Sequence, residues 1–137
     1  MISSARAKQS LEYEFGLRAF TPESKYYLGL STTDPATGIT EPASDTGYAR
    51  VEILNNGNSW GEVATGEFYL ANKIAFIFPL LSKAANDVSY WFLATSGTGK
   101  TTPPYYGALS TPRPMPADSQ IIVGEGEMKI YRENIKS

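Results

Sequence analysis

Apolar residues recur at every second position through most of this chain and at helical spacing only near its start. Within residues 4–20, Ala7, Leu11 and Phe15 fall at i, i+4 intervals while Arg6, Lys8, Glu12 and Glu14 take the other faces, a pattern that predicts an amphipathic helix. Thr21-Pro22 ends it, because the residue before a proline is pushed out of the helical region. The apolar stripe is narrow. A helix of this kind lies as an arm on its own domain or on a neighbour, and the stripe leaves both open.

Period-two alternation follows. Residues 26–31 place Tyr26, Leu28 and Leu30 inward. Residues 48–54 place Ala49, Val51 and Ile53 inward with Arg50 and Glu52 outward. Asn55-Asn56-Gly57-Asn58 is a turn signal. Residues 59–63 and 67–70 predict short strands around Thr65-Gly66. Residues 73–79 align Ile74, Phe76 and Phe78 on one face, and residues 88–95 set Tyr90 and Phe92 opposite Trp91 and Leu93. Both are apolar at nearly every position, as strands covered on two faces are, so both are expected to be central. A Gly-, Thr- and Pro-rich loop over 96–104 leads to a strand over 105–110. TPRPMP (111–116) predicts an extended connection poor in hydrogen bonds. At the end, residues 120–123 are expected to pair with 127–132 across Gly124-Glu125-Gly126. Short strands at close spacing after a single helix predict a mainly β fold: an antiparallel β-sandwich or jelly-roll-like barrel with one N-terminal helical arm. The arm spans 1–22 and a single domain 23–137.

Composition narrows the chemistry. At 137 residues, 42% hydrophobic and 19% charged, the chain is one globular domain in length and too apolar for disorder. Nine Tyr, six Phe and two Trp tilt it further toward pleated, half-buried surfaces. A net charge of −2 with scattered basic residues gives no footprint for nucleic acid. Histidine and cysteine are both absent, which removes Ser-His and Cys-His nucleophiles and the usual zinc ligand sets. The N-terminus lacks the apolar run of a signal peptide and no window reaches membrane-spanning length, so no membrane role and folding in cytoplasm are expected.

Three candidate chemistries carry little weight. ATSGTGKT (94–101) fits a relaxed phosphate-loop pattern after a plausible strand. A phosphate cradle needs a helix opening at the Lys-Thr, and Thr102-Pro103-Pro104 blocks one. The reading preferred is a glycine-rich hairpin loop. Glu62, Glu67, Asp87, Glu125 and Glu127 could supply a glycosidase pair, but they fall in turns or outward positions where solvated charge is the rule. Asp34 and Asp45 read as turn-makers, ahead of Pro35 and toward Gly47, with no calcium-loop spacing. Aromatic side chains remain, as core, interface anchors or sugar-stacking platforms. Trp60, after a polar turn, and Tyr105, after two prolines, are the ones expected to be exposed.

Taken in order, YLGLSTTDP (27–35), Thr40-Glu41-Pro42, GYARV (47–51), Asn72 with Ile77-Phe78-Pro79, and YGAL (106–109) before a glycine-rich hairpin resemble small tailed-phage virion proteins often labelled tail-fibre proteins. Asp45-Thr46-Gly47 departs from a second glycine often found before that GYAR segment, and the loop from Thr95 to Pro104 is longer than usual there. The resemblance implies a non-enzymatic virion structural protein, used in many copies on tail or capsid. On that basis the first expectation is a capsid decoration or cement protein that binds the major capsid protein through its arm and the loops over 32–47 and 95–104. A tail-fibre or baseplate component, with or without a host glycan as ligand, is the alternative, and a free-standing carbohydrate module or glycosidase is the third. Residues assigned to partner contact are Leu11, Phe15, Asp34, Trp60, Lys100, Tyr105 and Arg113. No catalytic residue, metal or cofactor is implied. A homo-oligomer, plausibly a trimer, assembled in the host cytoplasm, completes the expectation.

Overall fold

A computed structural model describes residues 2–17, 23–62 and 69–131. One helix, α1 (Ser4–Glu14), precedes nine strands: β1 (Lys25–Ser31), β2 (Val51–Leu54), β3 (Trp60–Glu62), β4 (Tyr69–Asn72), β5 (Phe76–Ile77), β6 (Ala85–Ala94), β7 (Tyr105–Met115), β8 (Ile122–Val123) and β9 (Lys129–Tyr131). All pairings are antiparallel. They form a four-stranded sheet, β2-β1-β6-β7, and two smaller sheets, β3-β4-β9 and β5-β8. The fold is mainly β, as the alternation implies, but its sheets stay open and do not close into the barrel that the sequence left as an option.

The four-stranded sheet is buried on both faces at its centre. Leu28 and Leu30 of β1 and Leu93 of β6 enter the main core with Ile53, Val88 and Met115 of the same sheet, and with Phe76, Phe78, Leu81, Ile121 and Met128 from the smaller sheets and their loops. Phe92 and Ala94 point the other way and pack with Ile39 from the loop after β1. Alternation along β6 therefore runs as expected, with Trp91 and Leu93 serving one core and Phe92 the other. Gly29 makes the second core possible. It pairs with Phe92 across β1 and β6, and a Cβ there would stand 2.2 Å from the Phe92 ring.

Several boundaries differ from the sequence reading, each for a local reason. The helix stops at Glu14, short of Phe20. Gly16 takes φ 75° and the Leu17 amide donates to the Glu12 carbonyl at 2.8 Å, which is the glycine-terminated Schellman ending. At the other end the Arg6 amide donates to Ser3 Oγ at 3.3 Å, the expected N-cap geometry. Residues 18–22 of the expected arm lie outside the described residues, as do Val63, Thr65, Gly66, Glu67 and Arg132. β2 begins only at Val51, so Ala49 is exposed instead of inward. Residues 73–79 do not form a central strand. Only Phe76–Ile77 pair, with β8, and Ile74 is exposed while Phe76 and Phe78 are buried. All of TPRPMP but Pro116 belongs to β7 rather than to an unpaired connection. β7 is an edge strand that tolerates Pro112 and Pro114, and its register with β6 shifts between the Val88–Arg113 and Tyr90–Ala108 pairs.

The terminal strands do not pair with each other. β8 joins β5 and β9 joins β4, so the turn at 124–128 carries the chain from one sheet to another. Buried Asn72 holds that crossing. Its amide nitrogen donates to the Ile74 and Gly124 carbonyls at 2.8 and 2.9 Å, and its oxygen accepts from the Met128 amide at 3.0 Å.

Replacing Gly29 with alanine is expected to lower the unfolding free energy by about 1–3 kcal/mol, because the buried Phe92 ring must move off its register partner. Gly57→Ala, whose added Cβ meets nothing, is expected to change it by less than about 0.5 kcal/mol. Urea unfolding of the two variants checks the contrast, and equal effects would remove the close approach as the cause.

Candidate interaction surface

Ser31 starts the long loop between β1 and β2 by saturating its own hydroxyl. Oγ donates to the Thr33 carbonyl at 2.6 Å and accepts the Thr33 and Thr40 amides at 3.2 and 3.0 Å, which folds residues 32–40 back on themselves. Thr32 N–H donates to the Thr40 carbonyl at 2.9 Å, closing the base. Asp34 makes the turn expected of it: Oδ1 accepts the Ala36 amide at 2.9 Å, and its carbonyl accepts the Thr37 and Gly38 amides. Pro35 and Ile39 are buried under this fold-back. A single 3-10 turn, Ser44–Thr46, ends at Gly47 with φ 88°. Thr46 then accepts the Ser82 amide at 2.8 Å through its carbonyl, fastening the loop to the segment before β6.

Arg50 unites this loop with the β6–β7 loop. Its Nε and Nη2 donate to the two oxygens of Glu41 at 2.8 and 2.9 Å, a bidentate pair. Nη1 donates to the Ser96 carbonyl at 2.8 Å, and Nη2 also donates to the Gly99 carbonyl. The guanidinium lies 4.9 Å from the Phe92 ring centroid, in cation–π range. Its side chain is 3% exposed and that of Glu41 19%, so the outward placement expected for Arg50 is overturned. A period-two reading assumes an extended strand, and the chain at 47–50 has not yet entered β2. Tyr48 completes the group: its hydroxyl donates to Glu41 Oε1 at 2.8 Å and accepts the Leu30 amide at 3.0 Å. Burial, foremost, pushes the Tyr48 phenol far above its ordinary value.

The residues assigned to partner contact are spread over this body. Asp34 and Lys100 are exposed on the two loops that Arg50 joins. Leu11 and Phe15 stand on the arm, 44% and 74% exposed. Arg113 is exposed on β7. Trp60 and Tyr105 are only half-buried, against the exposure expected of them, because each edges onto another ring: Trp60 onto Phe76 at 5.4 Å, with Nε1 donating to Asn55, and Tyr105 onto Tyr26 at 6.0 Å. The segment resembling a phosphate loop runs as an exposed hairpin connection, and β7 opens at Tyr105 where such a motif requires a helix. Among the described residues no cluster of three or more acidic side chains is placed to hold a metal. Tyr48, Glu41 and Arg50 were not singled out as a unit by residue chemistry. Their signal was their place within the TEP and GYARV segments that carry the resemblance.

A family model described as Podophage GP4 fiber I protein gp80 matches residues 1–131. No curated protein matches the chain.

Arg50→Met is expected to destabilise the protein by about 3 kcal/mol or more, since Glu41 is left partly buried without its cation. Hydrogen exchange should quicken in both the 32–47 and 96–104 loops while central β1 and β6 amides stay protected relative to global unfolding; acceleration in one loop alone would contradict a shared clamp. Tyr48→Phe strips the Leu30 amide of its acceptor, at about 1–3 kcal/mol. A phenol held above its ordinary pKa of 10.0 contributes fully below that pH and loses its contribution as pH climbs past it. Wild-type melting temperature should therefore fall more steeply above pH 10 than that of Tyr48→Phe, and parallel curves would count against the buried phenol.

Proposed function

The chain belongs to the podophage fibre I protein family, and from that premise we propose that it is a fibre component of a tailed-phage virion which works by surface contact without turnover. Family membership over residues 1–131 carries this reading. A virion structural role and contact with other virion proteins follow at the family level. The fibre assignment ranks above the cement role that came first from sequence, since the family is described by a fibre.

The geometry supports contact as the mode of action. Glu41, Arg50 and Tyr48 are the most enclosed ionisable groups of the loop region, and they engage one another rather than a reaction centre. What they accomplish is to fix two long polar loops in one arrangement. Pre-ordered loops lower the entropy lost on binding, and modest contacts summed over several copies give firm attachment. Glycan stacking by Trp60 or Tyr105 has less support, because both rings are engaged with Phe76 and Tyr26. Assembly in the host cytoplasm is part of the same proposal.

Quantitative mass spectrometry of purified virions tests it. A copy number far below that of the major capsid protein, with the chain missing from tail-less particles, is the expected result. A number matching the major capsid protein, with the chain retained on tail-less heads, would return the cement role to first place.

A further inference from the structure

Asn56-Gly57, in the turn that joins β2 to β3, is the one place in the chain where glycine follows asparagine. Both residues are exposed, and a Cβ on Gly57 would meet nothing. The Asn58 amide donates to Asn56 Oδ1 at 2.9 Å. That bond closes an Asx turn and folds the Asn56 carboxamide over the peptide bond to Gly57, so that every atom of a cyclic imide, from Asn56 Cγ through the backbone carbon to Gly57 N, lies inside the turn. It also stands where negative charge forms on Oδ1 when Cγ is attacked. Among the described residues the Gly57 amide has no acceptor and Asn56 Nδ2 no partner. The attacking nitrogen and the departing one are both unheld.

The other described asparagines lack this combination. Asn58 is exposed too, but the Ser59 amide that follows it donates to the Asn56 carbonyl at 3.2 Å. The Asn55 carboxamide is tied at both ends, Nδ2 to the Glu23 carbonyl at 3.1 Å and Oδ1 to Trp60 Nε1 at 3.2 Å. Asn72 is 2% exposed with its carboxamide fully bonded, and the Lys73 amide donates to the Ser59 carbonyl. Asn86 lies within β6, where the side chain stands out from the pleat instead of folding over the next peptide.

We propose that Asn56 is a site of spontaneous deamidation and isoaspartate formation, and that the isoaspartyl product loosens the junction between the four-stranded sheet and β3. The Gly57 amide gives its proton to hydroxide and its nitrogen bonds to Asn56 Cγ; the Cγ–Nδ2 bond breaks, and Nδ2 takes a proton from water and leaves as ammonia. Water then opens the imide. Attack at Cγ restores the normal backbone with an aspartyl side chain, and attack at the backbone carbonyl carbon routes the chain through Cγ as isoaspartate. Nothing is oxidised or reduced. Either product adds one negative charge. The isoaspartyl form also inserts a methylene and turns the Asn56 carbonyl, which accepts the Ser59 and Trp60 amides at 3.2 Å each, into a free carboxylate. Asn55 ties the turn to Trp60, and Lys73 Nζ donates to the Gly57 carbonyl at 2.8 Å, so a lengthened backbone cannot keep all of these bonds.

Folded protein kept warm at mildly alkaline pH, then digested and mapped by mass spectrometry, tests the site. Asn56 is expected to convert before Asn55, Asn58, Asn72 and Asn86, its amide NH2 replaced by OH, with aspartyl and isoaspartyl forms both present. Gly57→Ala, whose added Cβ is free of contacts, should slow the conversion about threefold or more, the effect of restraining a backbone that glycine leaves free. Hydrogen exchange at Ser59 and Trp60 should be faster in the isolated isoaspartyl fraction than in unconverted protein. Conversion at Asn56 in the urea-unfolded chain alone would show that the turn protects the site and overturn the proposal. So would earlier conversion of Asn58, an unchanged rate in Gly57→Ala, or an aspartyl product without isoaspartate, which is direct hydrolysis. Equal exchange in the two fractions would overturn the loosening of the junction.

Discussion

Two loops of this protein hold their shape because one guanidinium is placed where four acceptors converge. Arg50 spends four N–H donors on Glu41, Ser96 and Gly99, and its face covers the Phe92 ring. A lysine could not do this, since a point charge has neither the planar fork nor the stacking face. Glu41 is fixed in turn by Tyr48, which also takes the Leu30 amide. Local loop geometry, an ion pair and the edge of the β1 backbone thus become one unit, and the hydrogen bonds made by each charge offset the cost of burying it.

Beneath that unit the four-stranded sheet has to be covered twice. On one side the small sheets bring Phe76, Phe78, Ile121 and Met128; on the other the 32–47 loop brings Ile39 over Phe92. Gly29 and Ser31 occupy the loop-facing side of β1. Gly29 leaves space for the Phe92 ring, and Ser31 closes the 32–40 fold-back of the loop. A loop that closes a core is not interchangeable with a flexible one, because loosening it would expose apolar surface. In this chain the loops are therefore both cover and exposed surface, in a member of a podophage fibre protein family.

The arm obeys a different economy from the sheets. Ile2 and Ser3 are buried at its root, while Leu11 and Phe15 are 44% and 74% exposed. A helix of eleven residues is short for stability on its own, and its start is fixed by the Ile2 bridge to Tyr105 and the Ser3 hydrogen bond to Pro104.

Alternation along residues 26–31 and 88–95 was enough to determine a mainly β, antiparallel fold, the central position of β6, and the opposite facing of Phe92 and Leu93, because side-chain direction in a strand is fixed by the pleat; the central place of β1 was not read from it. The turn at Asp34 and the helix at Ser4 were equally local, set by side-chain-to-backbone hydrogen bonds and spacing. The open sheets, the separate partners of β8 and β9, the two-residue β5 and the paired state of TPRPMP were decided by tertiary structure. Each depends on which distant segment arrives alongside, as when Asn72 grips Gly124 and Met128 from more than fifty positions away. Arg50 shows the same division. Its presence and charge could be read from the sequence, but its burial could not, for what buries it is Glu41, Ser96, Gly99 and Phe92, which come together only when the chain is folded.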